Sequence, residues 1–303
     1  MSLPLKKQNV LTAALASLLI IFSTSARADE KITLRPHWEP GKTYTMETQT
    51  EMLTTMPGLG SGAAAGQKTE FTQTMTITVS SEAATGNSLA EVKFTGIKAT
   101  IGMMGTTMTY DSSDPSKSAP FLQQAFGSML NKTFTMVFNK DDKYIEARGL
   151  DALKQGTPLG QTKAINGDQM ADMFRKSFEM ALPKEPVASG DSWKNDTKLD
   201  MGPVGQLAFT GTNKFDSIVD RDGHMHAKIT MDGTMNTEGL GDAKMVKIAE
   251  GSKLTGESYF DLDRKVMDFS ETNTDLKMNV AGQEVPVKQK SVNRIISIED
   301  TKK

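Results

Sequence analysis

The sequence predicts an α+β fold that is mainly β: two related halves of long antiparallel meander strands, forming a curved sheet or two sheets, with a few short helices packed on one side. Three observations lead there. Apolar residues alternate with hydroxyl and charged residues over long runs, the period of a half-buried strand and not of a helix. Glycine, asparagine and aspartate punctuate these runs at turn positions. Several segments of the first half also recur, in the same order, in the second.

The first strand opens with a turn glycine, a hydroxyl residue and an aromatic in Gly41–Met52, and the same sequence of residue types returns in Gly190–Met201. Tyr44 and Trp193 are the expected anchors of a core layer, because each buries a large ring while keeping one polar atom for a partner. Along the first strand Tyr44, Met46 and Met52 point one way while Glu47, Gln49 and Glu51 point the other. The small-residue run Pro57–Gly66 reads as a loop. Phe71, Met75, Ile77 and Val79 then alternate with Thr72, Thr74, Thr76 and Thr78, the clearest strand in the chain. Gly86-Asn87 turns it into a return strand with Ala90, Val92 and Phe94 inward, and Ile101–Tyr110 supplies a further strand.

Phe121, Leu122, Phe126, Met129 and Leu130 fall at helical spacing and predict a short amphipathic helix between Pro120 and Leu130. A strand with Phe134, Met136 and Phe138 follows, and Asn139–Asp142 turns it toward Tyr144 and Ile145. A second helix is predicted from about Asp168 to Leu182, capped by Asn166 or Asp168 and ended by Pro183. The pattern then restarts. Gly223–Gly233 matches Gly86–Gly96 without a gap, and Phe260–Asp268 matches Phe138–Glu146. The expected long strands that close the chain are Lys253–Leu262, Val266–Val280 and Val285–Ile298.

Residues 1–28 have the form of a secretory signal peptide: Lys6 and Lys7, an apolar run from Val10 to Phe22, and Ala26-Arg27-Ala28 as a cleavage signal, with cutting expected after Ala28. The apolar run is shorter than the roughly 20 residues a membrane-spanning helix needs. The mature chain is therefore expected to be periplasmic or extracellular with no transmembrane span, its first β-rich half at 29–165 and a helix plus second β-rich half at 166–303. There is no cysteine, which excludes disulfides and a lipid anchor on an N-terminal cysteine. The whole chain carries 35 basic and 37 acidic residues; without the signal peptide 32 basic residues face the same 37. No stretch interleaves Lys or Arg with aromatics as phosphate neutralisation requires, so nucleic acid is not an expected partner.

Leu182–Trp193, with its Leu-Pro, Val187 and Gly-Asp-Ser-Trp residues, and the Gly256–Asp261 hairpin resemble a family of uncharacterised secreted bacterial proteins defined only as a domain of unknown function. The resemblance covers most of the mature chain and implies an exported protein of the cell envelope; it brings no catalytic residues. A looser resemblance, of architecture alone, is to periplasmic lipid carriers, in which a curved antiparallel sheet wraps over helices around an apolar cavity.

Candidate sites are few. Ser192 in Gly190-Asp191-Ser192 stands where a lipase nucleophile would, but no Asp lies three residues before His224 or His226, and the segment reads as a strand start. His224 and His226 share one strand face, as metal ligands would, yet that face also carries Lys228, Thr230 and Asp232 and reads as solvated. His37 has no evident carboxylate cluster near it in sequence. Asp220-Arg221-Asp222-Gly223 lacks the first and last ligands of a calcium loop and reads as a hairpin turn. No catalytic residue, cofactor or metal is assigned.

The 20 methionines are the outstanding feature of the composition. Met46, Met75, Met136, Met225 and Met231 are placed on apolar strand faces as flexible filling. Thioethers also suit a pocket for variable apolar ligands, with Met103, Met104, Met108, Met173, Phe174 and Phe178 as its expected lining. The leading expectation is a non-catalytic exported protein that binds or carries an apolar, lipid-like molecule. Behind it stand an envelope protein-interaction module, an uncharacterised hydrolase and a Cu(I) binder through Met103, Met104 and Met108.

Overall fold

The computed structural model describes residues 30–55, 66–103, 106–127, 129–150, 175–176, 182–200, 206–238, 246–280 and 283–302. Residues Lys31–Lys303 form one compact unit. The signal-peptide residues, the loop around Pro57 and all but two residues of the helix expected before Leu182 lie outside the described residues.

Alternation is realised as one large antiparallel sheet. Its strands are β1 (Lys42–Thr54), β2 (Gln67–Ser81), β3 (Ser88–Met103), β4 (Thr106–Asp111), β5 (Thr133–Phe138), β6 (Tyr144–Arg148), β7 (Ser192–Asp200), β8 (Gln206–Arg221), β9 (His224–Glu238), β10 (Val246–Ile248), β11 (Ser252–Asp261), β12 (Val266–Val280) and β13 (Gln283–Asp300). They lie in the order β6-β5-β3-β2-β1-β13-β12-β11-β9-β8-β7, with β4 on β3 and β10 on β12. Helix α1 spans Pro120–Gly127, stopping short of Leu130. The strand expected at Ile101–Tyr110 is divided, its first residues continuing β3 and the rest forming β4.

The segments that match in sequence occupy matching positions. β1 and β7 each begin one residue after or close to a glycine in the left-handed region, Gly41 at φ 87° and Gly190 at φ 92°, and each glycine N–H donates to a neighbouring strand, at Val79 O and Phe215 O. In the β5–β6 turn Asn139 Oδ1 accepts from the Asp141 and Lys143 amides. Its aligned counterpart in the β11–β12 turn, Asp261, uses Oδ1 to accept from the Asp263 and Arg264 amides.

The sheet is strongly rolled. On a flat sheet the β5–β6 and β11–β12 turns would stand about 29 Å apart, six strand spacings. One residue nevertheless reaches both: the His37 amide donates to Lys265 O at 2.8 Å, and His37 Nδ1 lies 2.8 Å from Asp142 Oδ1. Residues 32–38 run inside this roll, pairing as Ile32 with Val187 and burying Leu34 and Trp38.

Two apolar layers fill the interior at the turn-bearing end. Trp38, Tyr44, Ile77, Val92, Phe134 and Val266 belong to one; Leu34, Val187, Phe215, Ile229 and Phe260 belong to the other. Smaller clusters around Ile97, Tyr110 and Leu122 and around Phe209, Met231 and Leu254 lie toward the opposite end. A polar belt crosses β1, β13 and β12 between them: Thr48 Oγ1 donates to Asn293 Oδ1 at 2.7 Å, Asn293 Nδ2 to Ser270 Oγ at 3.2 Å, and Thr50 meets Ser291 at 3.2 Å. Met75, Met136 and Met231 are buried as expected, but Met225 is 45% exposed, because it stands beside the Gly223 turn where the interior layer ends.

Gly211 and Gly233 face each other across β8 and β9, with the Phe209 ring lying over both. A Cβ on Gly233 would come 2.6 Å from that ring and 2.7 Å from Thr210 O. We expect Gly233→Val to cost about 1–3 kcal/mol through this overlap. Gly96→Ala, which meets only Thr74 at 3.4 Å, should leave the urea midpoint nearly unchanged.

Candidate functional site

The roll is not closed. Among the described residues β6 and β7 are its two edges, each paired with a neighbouring strand on one side, and residues 32–38 and 182–187 fill part of the seam. Both fillers are poor strand partners by sequence. Pro36, Pro183 and Pro186 lack the N–H a ladder needs, so these segments cross the edges without completing the sheet.

A cavity of about 910 Å³ lies at this seam. Its apolar lining comes from Leu34 and Trp38, from Met136 and Phe138 on β5, from Tyr144 and Ile145 on β6, and from Leu182. Trp38 stands edge-on to Tyr44 at 5.0 Å between ring centres, and Phe138 edge-on to Tyr144 at 6.1 Å. Glu39 N donates to the Tyr44 hydroxyl, while burial pushes the Tyr44 pKa up. Arg35, Lys143, Arg175 and Lys184 stand at the mouth with Asp142 and Glu185. A second cavity of about 820 Å³ continues along β7 past Trp193, sharing Arg175 and Leu182–Glu185. The Trp193 Nε1–H is buried there without a hydrogen-bond partner.

A third cavity, about 500 Å³, lies on the other face of β1, β11, β12 and β13. Its lysines pair with neighbouring acids, Lys68 with Glu70 at 2.5 Å and Lys290 with Glu271 at 2.9 Å. This is a solvated ion-pair surface.

The histidine strand departs from its sequence reading. His226 is 1% exposed and Asp261 is fully buried, although Lys228 follows on the same face. The β11–β12 turn covers His226, and a bulge in the β11–β12 pairing at Tyr259/Phe260 brings Asp268 to it. His226 Nδ1 donates to His224 O at 2.9 Å, and Nε2 lies 3.3 Å from Asp268 Oδ2 and 3.7 Å from Asp261 Oδ2. Arg264 completes the group, with Nε 2.5 Å from Asp261 Oδ2 and Nη2 3.2 Å from Asp268 Oδ1. His224, Asp261 and Asp263 approach closely enough to share a cation, their ligand atoms within 4.8 Å of one another. The carboxylate they would share is already held by Arg264 and two amides, while His226 Nε2 is buried without a hydrogen-bond partner. Asp220 Oδ1 accepts from the Gly223 amide, which makes the Asp220–Gly223 segment a hairpin turn. His37, which has no carboxylate cluster near it in sequence, gains Asp142 through the fold.

Of the six residues expected to line an apolar pocket, Met104, Met173, Phe174 and Phe178 lie outside the described residues. Met103 ends β3 opposite Thr106. Met108 packs with Phe71, Tyr110 and Phe126, away from the seam cavity. The cavity's own lining was not singled out in the sequence. Its available signal was Trp38, Pro36 and Pro40, an aromatic among prolines just before the first strand.

No helix among the described residues is long and apolar enough to cross a membrane. The sheet, its seam and the Gly-Asp-Ser-Trp strand start define a mainly β protein with an open interior edge. The chain belongs to the family of unknown function DUF6263, whose model matches residues 85–284. A search of the curated proteins gives no match. Among solved structures, the chain is similar to a lipovitellin studied for lipid–protein interactions, with 10% identity and a TM-score of 0.48 over 88% of this chain, which spans 26% of the lipovitellin chain. It is also similar to a candidate lipoprotein of Parabacteroides distasonis, at 10% identity and a TM-score of 0.31 over 89% of this chain and 100% of the other. A candidate exported protein of YmcC-like fold from Bacteroides fragilis gives 10% identity and a TM-score of 0.28 over 88% and 99%. These are likenesses of coarse topology and carry no argument about binding.

Burial pushes the Asp261 pKa up, but the amide and guanidinium of Arg264 and the Asp263 amide outweigh it and hold the carboxyl below its ordinary value. A depressed folded-state pKa contributes stability that is complete above the unfolded value, about 3.9, and is lost as pH falls through the folded one. Asp261→Asn should therefore cost about 1–3 kcal/mol at pH 7. Below about pH 4 its deficit relative to the parent should shrink, as urea midpoints measured across pH would record.

Proposed function

We propose that this is an exported, non-catalytic protein that binds or carries an apolar, lipid-like molecule in the cell envelope, with the seam cavity as the place of binding. The observation that carries this reading is the cavity itself: about 910 Å³, lined by Leu34, Trp38, Met136, Phe138, Tyr144 and Leu182, and open where the sheet fails to close. Small-molecule sites occupy about 300–1,000 Å³, and this one falls in that range, with an apolar wall and a charged mouth. Export rests on the signal-peptide pattern at 1–28 and cleavage after Ala28.

The two runs β6-β5-β3-β2-β1 and β12-β11-β9-β8-β7 support reading the protein as two copies of one meander, at 29–165 and 166–303, with β13 added between them. Under that reading the seam is where the first copy's last strand meets the second copy's first. A second reading, an envelope protein-interaction module, is favoured by the same two open strand edges.

Mass spectrometry of an organic extract from gently purified protein should return a bound amphiphile. Phe138→Asp places an unpaired charge in the cavity wall and should weaken an apolar fluorescent probe by about tenfold or more, with the β-sheet circular dichroism retained. An empty extract, together with a protein partner that co-purifies in stoichiometric amount, would favour the interaction module instead.

A further inference from the structure

We propose that the molecule held at the seam is a single-chain amphiphile with an anionic head, its chain in the cavity and its head at the mouth. This rests on the carrier reading and adds the charge of the ligand. The chain as a whole is slightly acidic, with a formal net charge of −2, yet the mouth is locally cationic. Among the described residues Arg35, Lys143 and Lys184 stand there against Asp142 and Glu185. Asp142 is turned toward His37, its Oδ1 2.8 Å from Nδ1. Arg35 gives one N–H to Asp141 O at 3.3 Å, which anchors its side chain beside the β5–β6 turn, and a guanidinium has five donors in all.

The geometry separates the two chemistries as an amphiphile does. Phe138, Tyr144 and Leu182 on the apolar wall are half-buried, whereas Lys143 and Lys184 are exposed at the rim. Long lysine and arginine side chains lay their methylenes along apolar walls and keep their charge at the water boundary. An acyl chain in the cavity would therefore end among cations. A carboxylate and a phosphate present the same oxygens to these groups, and arginine grips either one bidentately. A neutral ester would gain the apolar contacts only, and a cationic amphiphile would be repelled.

The test is displacement of the neutral probe N-phenyl-1-naphthylamine from the protein at low salt by palmitate, lysophosphatidylglycerol, methyl palmitate and hexadecyltrimethylammonium. We expect palmitate, lysophosphatidylglycerol or both to displace it at concentrations about tenfold lower than methyl palmitate, the advantage two partly screened charges provide. That advantage should shrink in about 0.5 M salt, where the screening length is only a few ångströms. Lys143→Glu combined with Lys184→Glu should abolish it while leaving methyl palmitate unchanged; both side chains are exposed, so the fold should survive, as circular dichroism would verify. Preference for palmitate alone would assign a carboxylate head, and preference for the lysophospholipid alone a phosphate head. Equal displacement by palmitate, lysophosphatidylglycerol and methyl palmitate would overturn the anionic head, and an anionic preference that survives the double charge reversal would overturn its place at this mouth; either leaves the carrier reading intact. Failure of all four to displace, with no amphiphile in the organic extract, would overturn both.

Discussion

The rolled sheet depends on the crossing of residues 32–38. An antiparallel sheet of this width twists and coils, but twist alone does not bring strands six places apart within reach of one side chain. The crossing segment does so by satisfying both sides at once. Ile32 and Val187 exchange backbone hydrogen bonds at 2.8 and 2.9 Å, and the His37 amide takes Lys265 O. Leu34 and Trp38 then enter separate apolar layers, one against Phe215 and Phe260, the other against Tyr44 and Ile77. Burying such side chains stabilises the roll by about 1.5–3 kcal/mol each. The surface ion pairs around the rim contribute far less.

The interior that results is graded along the strands. Apolar layers gather at the turn-bearing end, while the belt through Thr48, Asn293 and Ser270 satisfies its polar atoms within itself, which is the condition for burying them without loss. Thr48 and Thr50 share the interior face of β1 with Tyr44 and Met46. The same alternation that builds the greasy layer therefore also carries the hydroxyls, and only distance along the strand separates them. The seam cavity lies at the apolar end, where Trp38, Phe138 and Tyr144 stand.

Local structure was legible in the sequence because strand period and turn chemistry are local properties. Thr72–Val79 reads unambiguously as a strand, Asn139–Asp142 as a turn, and the three segment matches fall on corresponding strands and turns. The pairing of β1 with β13 was not legible, since no local pattern tells residue 44 that residue 298 is its neighbour. His226 shows a different limit. Its face was assigned correctly by parity, but burial came from a turn folded over that face and from a bulge that redirected Asp268, and period-two reasoning contains neither. The methionine count pointed to an apolar interior, yet the apolar wall of the described cavity comes mostly from aromatics, leucines and prolines. Met136 is its one methionine, supplied by a short strand near the edge.

The open seam is best understood as a consequence of proline. A rolled sheet with free edges at β6 and β7 is exposed to pairing with another chain, and proteins blunt such edges with prolines, charges and covering segments. Here the cover is residues 182–187, where Pro183 and Pro186 leave too few donors to extend either edge and Lys184 and Glu185 point charge into the gap. Lys176 adds a further block by donating from Nζ to Lys198 O on β7. A segment that could pair fully would have closed the sheet and, with it, the route to the apolar interior. The same residues that guard the edges against association thereby also form the rim of the cavity.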